Sequence, residues 1–127
     1  MRALSLRQPW AELVLQGQKT IEVRSTSTRI RGRVWIYTGQ KRLDPFDEEE
    51  LEQRFDLDLD ALPRSAVVGT VEIVDCRELT VEDSDAAGFE VTDPSGQYAW
   101  LLANPERSDV LIAPDQHPQP VFFRPFS

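Results

Sequence analysis

Apolar and polar positions along the first 25 residues change period twice. Ala3-Leu4-Ser5-Leu6 is a short apolar run that suits a buried strand. Pro9 follows where a first helical turn tolerates a missing N–H, and Trp10, Leu13 and Val14 then recur at spacings of three and four, one apolar helical face. Gly17 stands where a left-handed residue stops such a helix. Thr20-Ile21-Glu22-Val23-Arg24 alternates with a period of two, which predicts a half-buried strand. Ile21 and Val23 then face the core, and Thr20, Glu22 and Arg24 share the other side.

Ser25 to Gly32 is a polar loop, and Arg33 to Thr38 a β-branched and aromatic strand with Arg33, Trp35 and Tyr37 on one face. Asp44 to Phe55 predicts a helix with Asp44 as N-cap, Pro45 at its first position and acids in its first turn. Phe46, Leu51 and Phe55 are its expected buried stripe, and the acids between Asp47 and Glu52 its solvated face. Asp56 to Arg64 reads as loop with an apolar anchor, so residues 44–64 form an acidic helical insertion.

Ala66 to Cys76 carries the longest strand signal, with Gly69 marking a bend or a close backbone approach. Thr80 caps a short helical turn, and Asp93-Pro94-Ser95-Gly96 is turn chemistry. Gln97 to Ala103 is a strand ended by Asn104-Pro105-Glu106-Arg107, with Tyr98, Trp100 and Leu102 on one face. Val110 to Ile112 and Val121 to Phe123 are two further short strands, separated by a Pro-rich loop that holds His117, read as a surface residue. About six mostly antiparallel strands with two or three short helices place the chain in the α+β class. At this size such strands close most easily as a small β-barrel.

Composition narrows the possibilities. A chain of 127 residues, 40% apolar with three Trp and six Phe, is long enough for one domain with a real core. A single Cys76 excludes an internal disulfide, and one His beside it makes a zinc site improbable. No metal or cofactor is expected. No apolar run reaches the ~20 residues of a membrane span, and the N-terminus lacks the pattern of a signal peptide. The expectation is a soluble, reduced, cytoplasmic protein, monomeric and without a membrane partner.

The net charge of −8 argues against a polyanionic partner, but its distribution does not. Residues 1–42 hold nine Lys/Arg against two acids, +7, while the rest holds five Arg against twenty acids, −15. A split of this kind marks either a localised polyanion-binding face or two segments that pair with each other. Lys19, Glu22 and Arg24 likewise either neutralise one another at the surface, contributing about 0–1 kcal/mol, or line a polar cavity. Glu72, inside the apolar Ala66–Cys76 run, must be paired or desolvated, as functional carboxylates often are. The sequence contains no phosphate-binding Gly loop, no Ser-His-Asp set and no hydrolase elbow.

The stretch LSLRQPWAELVLQGQKTIEVRS, the GTVEIVD strand and YAWLLANPERSDVLIAP, in that order, resemble the ASCH domain, a family of PUA-like barrels. The resemblance spans nearly the whole chain, with 44–64 least covered, and reads residues 1–127 as one such domain. It implies a β-barrel with a cleft beside the first helix, a role in binding RNA or nucleotides, and a lining of Lys19, Glu22, Arg24, Glu72 and late-strand aromatics. One branch of the family hydrolyses N4-acylated cytidines with a Lys, a Thr and a Glu; another member has been proposed to cut RNA. Lys and Glu carry over to Lys19 and Glu72, but Glu22 holds the place of the nucleophilic Thr. Thr20 lies about 7 Å along the strand from that place.

Two readings follow. As a binding module, Trp10, Tyr98 or Trp100 stack on a base, Glu22 or Glu72 accept from an exocyclic amine, and Gln8, Lys19, Arg24 and Arg31 complete the contacts, with Arg29 and Arg33 as further phosphate partners. The aromatics equally fit an ordinary core. As a small hydrolase on N4-acylated cytidine or on RNA, Lys19, Glu22 and Glu72 are the catalytic set, a Glu acting as general base on water. Both readings place Lys19, Glu22 and Glu72 in one hollow.

Overall fold

The computed structural model describes residues 1–115, 118 and 121–126. His117 lies outside them. The elements run β1 (Ala3–Leu6), α1 (Trp10–Leu15), β2 (Ile21–Arg24), β3 (Gly32–Thr38), α2 (Pro45–Phe55), β4 (Ala66–Glu78), α3 (Ser84–Ala87), β5 (Tyr98–Ile112) and β6 (Phe122–Phe123), with 3₁₀ turns at Leu59–Ala61 and Val81–Asp83. The six strands form one curled sheet in the order β2-β5-β4-β3-β1-β6. Every pairing is antiparallel except β1 with β3. The expected barrel is thus a half-barrel whose edges are β2 and β6.

That one parallel pair matters for the site. Leu4 pairs with Ile36 and Leu6 with Thr38, so both strands end on the same side of the sheet. The chain leaves there twice, into Arg7-Gln8-Pro9 and into Gly39-Gln40-Lys41. Arg24, at the end of edge strand β2, reaches across the opening and donates from Nη2 to the Ser5 carbonyl at 2.7 Å. The open side of the half-barrel is therefore strapped by a guanidinium.

Strands β4 and β5 carry the curl. Their pairing slips at Val67/Gly69, Thr70/Glu72 and Ile73/Asp75. Such bulges bend and twist a strand. They also change which face a side chain meets: Val68, Val71 and Ile73 all enter the main core with Leu4, Ile36 and Trp100, whereas Val67 packs with Tyr37 and Phe123. Strict alternation over Ala66–Cys76 is broken for that reason. Gly69 sits at the first slip, where a Cβ would lie 2.3 Å from the Glu106 carbonyl oxygen and 2.7 Å from Leu15 Cδ2.

Two expectations about strands are corrected here, the end at 104–107 and the separate strand Val110 to Ile112. Asn104-Pro105-Glu106-Arg107 does not end a strand, because β5 continues to Ile112 as one element. Asn104 takes φ 52°, and Ala103 and Glu106 face Glu72 and Thr70 across the slip, so Pro105 falls where no ladder N–H is needed. Arg107 then clamps α1, donating from both terminal nitrogens to Glu12 at 2.8 and 2.9 Å.

The insertion behaves differently from its expected stripe. Helix α2 starts as predicted, with the Asp44 carboxylate accepting from the Phe46 N–H and Pro45 next. Leu51 is buried and Phe55 half-buried, but Phe46 is 83% exposed. The acidic run is not all solvated either. Glu48 is buried and accepts from Arg42 and from the Leu43 N–H. Arg42 holds its carboxyl below the ordinary value. Leu59, wholly buried, is the anchor of the following loop. After β4, Thr80 and Asp83 form a capping box before α3. Among the described residues no helix is long and apolar enough to cross a membrane.

Candidate functional site

Trp10, Gly88 and β2 together place Lys19 in the interior. Helix α1 stops at Gly17, whose φ is +80°, and the chain turns back into β2. Lys19, just before β2, is 2% exposed. Its Nζ donates to the Ala87 carbonyl, lies 3.6 Å from Glu22 Oε1, and stands 4.9 Å from the Trp10 ring and 5.5 Å from the Phe89 ring. Gly88, at the end of α3, takes φ +83°, a left-handed conformation that favours glycine, and turns the chain beside the Trp10 ring and the Lys19 stem. Burial pushes the Lys19 ammonium below its ordinary value of 10.5, and Glu22 opposes that shift.

Glu22 is held from both sides. Arg24 Nε donates to its Oε2 at 2.7 Å, opposite Lys19. The side chains of Glu22 and Arg24 are 10% and 20% exposed, which removes this pair from the weak class of surface ion pairs. Arg24 also lies 5.7 Å from the Trp100 ring, and Trp100 stacks on Phe122 with centroids 5.5 Å apart. The row Lys19–Glu22–Arg24 therefore crosses the sheet opening on an aromatic floor.

Above it is a cleft of about 630 Å³, lined by Leu6, Arg7, Trp10, Glu22, Arg24, Tyr37, Lys41 and Leu43 among others. Arg7 and Lys41 come from the coincident ends of β1 and β3. Both are exposed, and neither takes part in an ion pair among the described residues. A second hollow, also about 630 Å³, adjoins the first across Trp10 and Leu43 and is lined by α2 on one side and by Ser84, Asp85, Phe89 and Glu90 on the other.

Of the residues singled out from sequence, Trp10, Lys19, Glu22 and Arg24 come together. Glu72 does not join them. It accepts from Arg33 at 3.1 Å on a half-exposed patch with Thr70 and Glu106, and is not among the residues lining either hollow. The expected convergence of Lys19, Glu22 and Glu72 is thus corrected: Glu72 lies on the face of β4 opposite the core residues Val71 and Ile73, where Arg33 holds it. Gln8 is 1% exposed and engaged at both ends of its amide, donating to the Pro63 carbonyl and accepting the Glu12 N–H, so it fastens α1 to the insertion's end. Trp100 is 1% exposed, its indole N–H given to the Thr26 carbonyl, and has no face left for a ligand base. Tyr98 lines a separate shallow hollow with Glu78 and Leu79. Arg31 is exposed beside Asp75 at 3.7 Å, away from the cleft lining. Thr20 is exposed and, with Lys19, Gly17 and Asn104, lines a small hollow separate from the cleft; Lys19, expected in the cleft lining, meets the cleft through Glu22. No group of three or more His, Cys, Asp or Glu with the geometry to hold a metal occurs among the described residues.

Arg7, Tyr37 and Lys41 line the cleft without having been singled out as site residues. The signal available was the basic segment 1–42, which contains Arg7 and Lys41; their convergence depends on the parallel β1–β3 pairing.

A curled, six-stranded, mostly antiparallel sheet with a side cleft beside its first helix is a PUA-like fold. Within that class the chain belongs to the ASCH domain family, which it matches over residues 4–112. The family is generally associated with RNA binding. The chain is similar to an ASCH protein from Zymomonas mobilis, with a TM-score of 0.65 at 15% identity, covering 97% of this chain and 85% of that one. A point-substituted form of the same protein gives 0.58 at 17%, covering 97% and 88%. By sequence it is 38% identical over 80 residues to Activating signal cointegrator 1 of Mus musculus, and 36% identical over 80 residues to that of Homo sapiens. Each match covers 58% of this chain but only 14% of the relative's length.

Proposed function

We propose that the cleft binds RNA by seating a nucleobase against Trp10, with Glu22 accepting from the base's amine and Arg7, Lys41 and Arg24 holding phosphate. One observation carries this reading: a carboxylate fixed between two cations faces a cleft whose rim bears two basic side chains with no ion-pair partner among the described residues. A carboxylate selects a donor edge such as cytosine N4, and an aromatic stack contributes about 1–3 kcal/mol whatever the base. Single-strand phosphate contacts give a salt slope of about −0.7 per contact. Titration calorimetry with short RNA strands over a salt series tests it. The double variant Arg7→Ala/Lys41→Ala is expected to bind more weakly with a slope shallower by about 1.4, and Glu22→Gln to lose preference among bases. Saturable binding unaffected by these changes, or none, refutes the reading.

Hydrolysis of an N4-acylated cytidine, or of RNA, is the second reading, supported by the depressed Lys19 beside Glu22. Glu22 would take a proton from water, whose oxygen attacks the acyl carbon. The C–N4 bond breaks, and the proton passes to N4, giving cytidine and a carboxylic acid. Arg24 would favour the charged intermediate, and Lys19 would hold Glu22 in place. Chromatographic detection of products, abolished in Glu22→Gln, tests it; intact substrate after saturable binding rejects it.

A further inference from the structure

We propose that the hollow between α2 and α3 is an electrostatic stop that makes the cleft select the end of a strand, or a single nucleotide, over the interior of a continuous strand. The inference rests on the cleft reading above and specifies which nucleic acid that cleft accepts.

The two hollows are equal in volume and share the Trp10–Leu43 partition, so a strand laid across the cleft has the second hollow as its natural continuation. The charge reverses at that partition. On the near side the lining cations are Arg7, Arg24 and Lys41. On the far side Asp47 and Glu50 come from one face of α2, and Asp85 and Glu90 from the opposite wall, against the single cation Arg54. All four carboxylates are exposed, and none is in an ion pair among the described residues. Glu12, Glu22, Glu48 and Asp83, by contrast, each bind a basic side chain. The acids facing this hollow are thus left uncompensated where a phosphate backbone would have to pass. The screening length at physiological salt is ~8 Å, so a phosphate entering this hollow, in contact with its lining, is repelled by these carboxylates. Phosphates that leave past Arg7 and Lys41 meet no such barrier.

The test compares a linear RNA of about a dozen nucleotides with a covalently closed circle of the same sequence, and with the free mononucleotide, by titration calorimetry. The circle has no end to offer. The protein is expected to bind the linear strand and the mononucleotide, and to bind the circle about tenfold more weakly than the linear form. Neutralising the stop with Asp47→Asn, Glu50→Gln, Asp85→Asn and Glu90→Gln should remove most of that difference by strengthening the circle alone. The pair Asp47→Asn/Glu50→Gln, on the exposed face of α2, should do so in part, and serves if the fourfold variant fails to fold. Equal binding of circle and line overturns the stop while leaving the cleft reading intact. So does an equal gain for all ligands in the variants, which is a general charge effect. Failure of all ligands to bind, mononucleotide included, overturns the cleft reading and the stop with it.

Discussion

Lys19 Nζ lies 3.6 Å from Glu22 Oε1, with 2% and 10% of the two side chains exposed. The two partners are not equally dependent on each other. Without Lys19, Glu22 keeps Arg24 at 2.7 Å; without Glu22, Lys19 keeps only the Ala87 carbonyl and two ring faces. Removing one member of a buried pair costs about 3–5 kcal/mol when the other is stranded. Glu22→Ala is therefore expected in that range, and Lys19→Met, which fills the same space with an apolar chain, at about 1 kcal/mol or less. Urea denaturation measures both, and equal losses contradict the asymmetry.

The same lysine has a signature in alkali. Burial lowers its folded value below the unfolded 10.5. Between the two values the unfolded chain binds more protons, so this group's contribution to stability rises with pH there. Below the folded value its burial penalty is complete. Lys19→Met should flatten that rise relative to the parent protein when denaturation midpoints are compared from neutral pH up to 10.5. Parallel curves would show Lys19 titrating normally.

Asp83 should dominate an acid effect of opposite sign. Two hydrogen bonds of 2.8 Å from Arg77, aided by the Thr80 N–H, lower its carboxyl from 3.8 to about 2. The stabilisation is complete above 3.8 and is lost as pH falls toward about 2; it amounts to about 1–2 kcal/mol. Arg77→Ala should remove that much at neutral pH and shrink the loss between pH 4 and about 2. An unchanged acid limb would assign the transition to other carboxylates.

Gly69→Ala is expected to destabilise by about 3 kcal/mol or more, beyond ordinary overpacking, because the nearest obstacle is the backbone carbonyl of Glu106 and not a movable side chain. Thermal unfolding checks it. A loss below about 1 kcal/mol would mean that β5 can shift at the slip.

Local chemistry was read well from sequence, and long-range convergence was not. Asp44 and Pro45, Thr80 and Gly17 announce their roles through neighbours a few residues away. Lys19, Glu22 and Arg24 were legible together because one short strand carries them. Glu72 was misplaced because alternation sets it opposite the core residues Val71 and Ile73 but does not say which side of the curled sheet holds the cleft. Trp100 and Trp10 looked alike as candidate stacking surfaces. One is sealed under Arg24 and Phe122, which only the curl of the sheet decides. Arg7 and Lys41 meet through a parallel pairing between strands separated by α1 and β2, for which no local signal exists.

Trp10 forms part of both hollows and lies under the Lys19 ammonium, whereas Trp100 is sealed and Trp35 packs edge-on against Phe126. One indole of three thus stands where any occupant arrives. Its fluorescence should respond to filling of either hollow against a steady background from the other two, giving the molecule a built-in optical reporter that needs no label.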